Sequence, residues 1–255
     1  MESVVSNEVV SNYKERGGSI QVTAINSDFE LNITSAFHDT LNSLEGIDTS
    51  AECCYFHFRK ALLDKIKELG LANVCYAQPE TRVYSFLKAL AALAFIPPNK
   101  VIETYVKIKS DRDNFTPKAN LLTRADQEKV AALVKYFEQQ YLGVTQQHAR
   151  GNIRIVERWN CNGREDTTNS HVEAWHSSKK TEFSRIRHIF KFIVACQESA
   201  SQDIIKLNHI RNNTFRPQKT SMQSKREKVM KHIQELYAIQ KISEIDVVKA
   251  IMTVI

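Results

Sequence analysis

The chain has 255 residues, 42% of them hydrophobic, with only 7 Gly and 5 Pro, a composition that can bury a core and excludes a collagen-like or low-complexity polymer. No apolar run approaches the roughly 18 residues of a membrane helix, and the opening MESVVSNEVVSNYKERGG has neither a basic nor an apolar leader region, so a nuclear or cytoplasmic protein is expected rather than a membrane or secreted one. The net charge of +6 is concentrated: residues 1–149 carry 16 Lys/Arg against 18 Asp/Glu, residues 150–231 carry 17 against 8 (an excess of +9), and residues 232–255 carry 2 against 3.

Taken in chain order, residues 19–25, SIQVTAI, alternate and are rich in β-branched types, which predicts a strand running into Asn26-Ser27 with Asp28 at its C-terminal end. Leu31, Ala36, Phe37, Leu41 and Leu44 fall on a helical period that stops at Gly46. The run CCYFHF, within Ala51–Phe58, suits a second strand, followed by a helix marked by Phe58, Ala61, Leu62, Lys65, Ile66 and Leu69 and ended by Gly70. Strand, helix, strand, helix predicts α/β packing.

From Pro79 to Leu142 the pattern is helical, with Val83, Phe86, Leu87 and Leu90, then Val101, Ile102 and Tyr105, then Val130, Leu133, Val134, Phe137 and Tyr141. Pro97-Pro98 and the polar run 110–120 interrupt it. Thr168 suits the N-cap of a helix carrying Val172 to Trp175. Ile186, Ile189, Phe190, Ile193 and Val194 mark a further helix, and Val229, Ile233, Leu236 and Tyr237 another, with 208–224 read as a polar basic linker. Ser243 with Asp246 predicts a capping box for a terminal helix. The expected organisation is an α/β segment at 1–76, a helical insertion at 77–145, a return to the core at 146–200, and a basic linker with C-terminal helices at 201–255.

Five cysteines at 53, 54, 75, 161 and 196 form an odd, irregular set without a CxxC pair. They are expected as reduced thiols rather than a disulfide framework. The basic stretch from Arg150 to Lys231 is what phosphate neutralisation requires, and a solvated lysine-rich surface has the same composition.

Five strings together carry a resemblance. Ser27-Asp28-Phe29-Glu30 is similar to the TDFE motif of Mutator-like element (MULE) transposases, and Cys54-Tyr55-Phe56-His57-Phe58, followed by KALLDKIKELGL, looks like their CYFHF motif and its adjoining helix. LAALAFIPPNKVIETY resembles their ALAFLPP segment; Arg158-Trp159-Asn160 and the later TTNSHVEAWH resemble their WN and TNN-VEGWH signatures. Each string is weak alone, but the five occur in the family's order and spacing over about residues 20–180.

The resemblance implies a partial RNase H-like α/β core, majority helix, with a helical insertion and a helical C-terminal extension. The family's chemistry is metal-dependent DNA cutting and strand transfer, in which two aspartates and a glutamate hold two Mg²⁺ or Mn²⁺ ions about 4 Å apart. By position, Asp28 matches the second aspartate and Glu173 the helix-borne glutamate, so both are implied as catalytic and metal-binding residues. On local context alone Asp28 reads as a helix N-cap and Glu173 as an exposed carboxylate. Cys54 and His57 match the family's C-x-x-H element; they shape the pocket floor or form a buried structural pair, and two zinc-type ligands are half a site. Asn169, Trp175 and His176 support the motif around Glu173, while His171 and His176 point about 140° apart on a helix and are not a metal pair. Lys179 or Lys180 resembles a DNA-supporting basic residue, with Arg185 and Arg187 as further DNA contacts; a lysine in solvent is the alternative.

The departures are as informative as the match. The family's first aspartate lies well before Asp28, where this chain has only Glu2, Glu8 and Glu15. Ser170 stands where a second asparagine is usual and Ala174 where a glycine is common, and the family's frequent zinc-binding N-terminal module is missing from the sequence. The expectation is an N-terminally truncated transposase core that binds DNA and does not cut it alone. Two alternatives stay open: an active enzyme completed by an upstream segment or another protomer, and a domesticated module that binds a protein partner. An incomplete sheet exposes an edge or an apolar face, so self-association is also expected.

Overall fold

A computed structural model describes residues 24–27, 50–111, 113–144, 151–164, 170–184, 186–212 and 221–255. The strand expected from SIQVTAI runs Ala24–Ser27 (β1) and pairs in parallel with Ser50–Cys53 (β2), in the register Ala24↔Ser50 through Ser27↔Cys53. A parallel pair needs a crossover rather than a tight turn. Here the connection is residues 28–49, which lie outside the described residues together with the helix expected at Leu31–Leu44.

The second strand is shorter than the sequence suggests. It stops at Cys53, and the helix α1 (Tyr55–Glu68) already contains most of CYFHF. Tyr55, Phe58, Leu62 and Ile66 recur at three and four residues and are all buried, so helical periodicity prevails over the β-propensity of an aromatic run. Gly70 ends α1 as expected: at φ 67° it donates to the Lys67 carbonyl at 2.9 Å, and Leu71 donates to the Ile66 carbonyl at 2.9 Å. This left-handed closure satisfies the last carbonyls of the helix.

The remaining elements are helical. They are α2 (Ala72–Ala77), α3 (Val83–Ala92), α4 (Pro98–Ser110), α5 (Arg124–Gln140), α6 (Ile153–Trp159), α7 (Ser170–Phe183), α8 (Ile189–Arg211), α9 (Ser221–Ala238) and α10 (Glu244–Met252). Two four-residue strands are all the β-structure among the described residues. The expectation of an α/β, partial RNase H-like core is therefore corrected: the described part is mostly helical and contains no such sheet core. The buried faces of the helices are satisfied against one another, as in helix-on-helix folds. The linker read at 208–224 also shrinks, because α8 continues to Arg211 and α9 starts at Ser221. Its Arg, Met and Gln residues are good helix formers.

The chain divides into two compact units, Met1–Asn169 with Met230–Ile255, and Ser170–Val229. In the first, α3 is buried through Val83, Phe86, Leu87, Ala89, Leu90, Ala91 and Ala92, the pattern of a central helix. Pro98 opens α4 at the position where a missing N–H costs nothing. α10 packs on α3 and α4 through Val247, Val248 and Ile251. Its start is the expected capping box: the Asp246 amide donates to Ser243 Oγ at 3.3 Å, and the Ser243 amide donates to Asp246 Oδ2 at 3.0 Å. Ser243→Ala is expected to lower stability by about 1 kcal/mol, read as a small drop in Tm by circular dichroism; an unchanged Tm would count against this cap. In the second unit, α7 meets α8 through Phe183 and Phe192, whose rings sit edge to face at 5.5 Å. No described helix is long and apolar enough to cross a membrane.

Candidate functional site

Three of the five sequence strings converge in the first unit. Phe58 of α1 is fully buried and stacks on Trp159 at the end of α6, with ring centroids 4.7 Å apart and planes at 14°. Tyr141 meets the edges of both rings, at 5.0 Å from Phe58 and 6.1 Å from Trp159. Trp159 Nε1 donates to the Tyr141 carbonyl at 2.7 Å. A buried indole keeps its N–H bonded in this way.

Next to it, Asn160 is 3% exposed and bonded through both ends of its amide. Its Nδ2 donates to the Ile96 carbonyl at 2.7 Å, and its Oδ1 accepts from the Asn162 amide at 2.9 Å. The Cys161 amide donates to the Ala94 carbonyl at 2.6 Å. CYFHF, the ALAFIPP segment and the Trp159-Asn160 pair thus form one junction, closed by Arg164, whose guanidinium donates to the Cys53 carbonyl at 3.2 Å and the Glu157 carbonyl at 3.4 Å. Nothing in the sequence singles out Arg164. These two partners are backbone carbonyls, which leave no side-chain signature.

Electrostatics at the junction favour neutral groups. Burial pushes the Tyr55 phenol well above its ordinary range. Burial, followed by the hydrogen bond shared with Tyr136, does the same to Tyr141. Cys54 is fully buried at the head of α1, and His57 is half-buried, its ring 5.3 Å edge-on from Phe56. None of the five cysteines forms a disulfide, and burial raises the Cys75 thiol to about 11, which suppresses the thiolate. The described residues of the junction pack and hydrogen-bond.

The carboxylates of the resemblance are placed as follows. β1 ends at Ser27, and Asp28, the next residue, lies outside the described residues. Glu173 belongs to α7 in the second unit, with its side chain outside the described set, as is that of Trp175. Asn169, Arg185 and Thr168 lie outside it as well. The side chains of both carboxylates thus lie outside the described residues. Among the described residues there is no group of three or more His, Cys, Asp or Glu that could hold a metal ion, so Cys54 and His57 are not part of a zinc site among them.

The basic candidates divide. Lys179 is half-buried between α7 and α8, bonded to Ser199 and paired with Glu182 at 3.2 Å and Asp203 at 3.4 Å. Its charge is engaged within the unit. Lys180 and Arg187 are exposed, as is His176. Comparison with family models, curated proteins and solved structures finds no match to the chain.

Proposed function

We propose that this chain derives from Mutator-like transposases and contacts DNA through the unit Ser170–Val229, without cutting it alone. The observation that carries this reading is charge. The unit has 12 Lys/Arg against 5 Asp/Glu, an excess of +7, and Lys180, Arg187, Lys191, Lys225, Arg226 and Lys228 are exposed. Two of its acids are already engaged, since Glu182 and Asp203 pair with Lys179 and Asp203 with Lys206. The surplus cations can neutralise phosphates and release counterions. The resemblance supplies two of three carboxylates, Asp28 and Glu173, which supports binding without cleavage; a nuclear location belongs to the same proposal.

The test is a mobility-shift titration of a short DNA duplex across a salt series. Affinity is expected to fall steeply with salt, and reversing Lys180, Arg187 and Lys191 to Glu is expected to weaken binding about 10-fold or more. Every phosphate that the variant no longer neutralises should flatten the log–log slope by about 0.9. Salt-independent binding, or a triple variant as tight as the parent, rules out this surface. Nicking by the same preparation with Mg²⁺ or Mn²⁺, abolished by Asp28→Ala, would refute the claim that the chain does not cut.

A further inference from the structure

Two cations of the first unit line one notch and have no anion. The notch lies between α1 and α3: the buried Leu62, Leu87 and Ala91 form its floor, and the partly buried Arg59, Tyr84 and Lys88 its rim. Lys88 Nζ sits over the Tyr84 ring, 5.8 Å from its centroid. Among the described residues neither Arg59 nor Lys88 makes a hydrogen bond or an ion pair. Local acids do not fill the gap. Neither α2 nor α3 contains one, and those of α1 are taken: Asp64 pairs with Lys60 and Lys67 at 3.2 Å each, and Glu68 with Lys65 at 2.7 Å. Burial, and after it the Arg59 charge, hold the Lys88 ammonium below its ordinary value.

Like charges brought together and partly desolvated disfavour each other's charged form; an anion between them removes both penalties. The donors say which anion. A guanidinium fork and a point ammonium together carry two positive charges, which match a phosphate monoester dianion better than a single carboxylate. What such a phosphate is attached to is indicated beside the rim. Tyr76 is 52% exposed and its ring lies 5.6 Å from that of Tyr84, and an open aromatic face next to cations is the arrangement on which bases stack. A further polar group is left over in the same helix. One turn before Arg59, Tyr55 is 8% exposed, and its buried hydroxyl has no hydrogen-bond partner although the Arg59 charge reaches it. Buried hydroxyls are seldom left so.

We infer that this notch binds the phosphate monoester of a nucleotide, with Arg59 and Lys88 holding the phosphate and Tyr76 and Tyr84 meeting the base. The site lies in the first unit and does not rest on the DNA reading of the second. Calorimetric titration of the full chain with adenosine 5′-monophosphate (AMP) is expected to show one site, and adenosine none. Arg59→Gln and Lys88→Gln change partly exposed side chains, so their circular dichroism should match the parent while each weakens AMP about 10-fold or more. Tyr76→Ala is expected to weaken AMP about 5-fold or more and to leave inorganic phosphate binding as it was. Reversal of Lys180, Arg187 and Lys191 should leave AMP affinity unchanged, which separates this site from the DNA surface. A 5′-phosphorylated oligothymidine, compared with its 5′-hydroxyl form, identifies the source. Tighter binding of the phosphorylated strand, lost in Arg59→Gln, makes the ligand a strand end; equal binding of the two makes it a free nucleotide. AMP that binds no better than adenosine, or as tightly to both glutamine variants as to the parent, overturns the inference.

Discussion

Trp159→Ala is expected to destabilise the first unit by about 3–5 kcal/mol, the range for deleting a buried aromatic. Trp159 is 1% exposed and touches three other rings, Phe58 at 4.7 Å, Tyr141 at 6.1 Å and Phe137 at 6.2 Å. Its removal opens a cavity among rings held by different helices, which cannot all close into it. The change also leaves the Tyr141 carbonyl without its 2.7 Å indole donor. Urea unfolding followed by circular dichroism measures the loss, and Trp159→Phe should recover part of it by refilling the space. A loss below about 1 kcal/mol would mean that α6 is not anchored as described.

Asn160→Leu is expected to cost about 2–4 kcal/mol, although leucine is apolar and similar in size. The reason is what it leaves behind: the Ile96 carbonyl is deprived of a donor at 2.7 Å and the Asn162 amide of an acceptor at 2.9 Å, and a buried unsatisfied polar group costs about 1–3 kcal/mol. The same urea titration serves. If Asn160→Leu were as stable as the parent, water would have to reach both orphaned groups, and the junction would not be closed.

These two substitutions bear on how the resemblance is understood. CYFHF, ALAFIPP and Trp159-Asn160 perform structural tasks in this chain: a ring stack, two backbone carbonyls and an amide clamp. Their presence is accounted for by folding. Any DNA chemistry rests on the other two strings, around Asp28 and Glu173, and on the basic unit that carries Glu173. If the chain binds DNA as proposed, reduced stability in Trp159 or Asn160 variants should weaken that binding only through unfolding, whereas reversal of Lys180, Arg187 and Lys191 should weaken it in a protein of unchanged Tm.

Local order was legible in the sequence wherever its cause was local. The Gly70 stop, the Ser243–Asp246 box and the periodic faces of α1, α3 and α10 all follow from residues within one or two turns of each other. The class of fold was not legible, because CYFHF satisfies the composition of a strand and the period of a helix at once. What resolved it was whether Phe58 had a ring to stack on, and that ring comes from Trp159, in a helix about a hundred residues further along. Asn160 is a sharper case still: its partner is a main-chain carbonyl 64 residues away. Side-chain spacing determined which faces of the chain had to be buried; only the tertiary structure decided against what, since a backbone carbonyl has no letter of its own in the sequence.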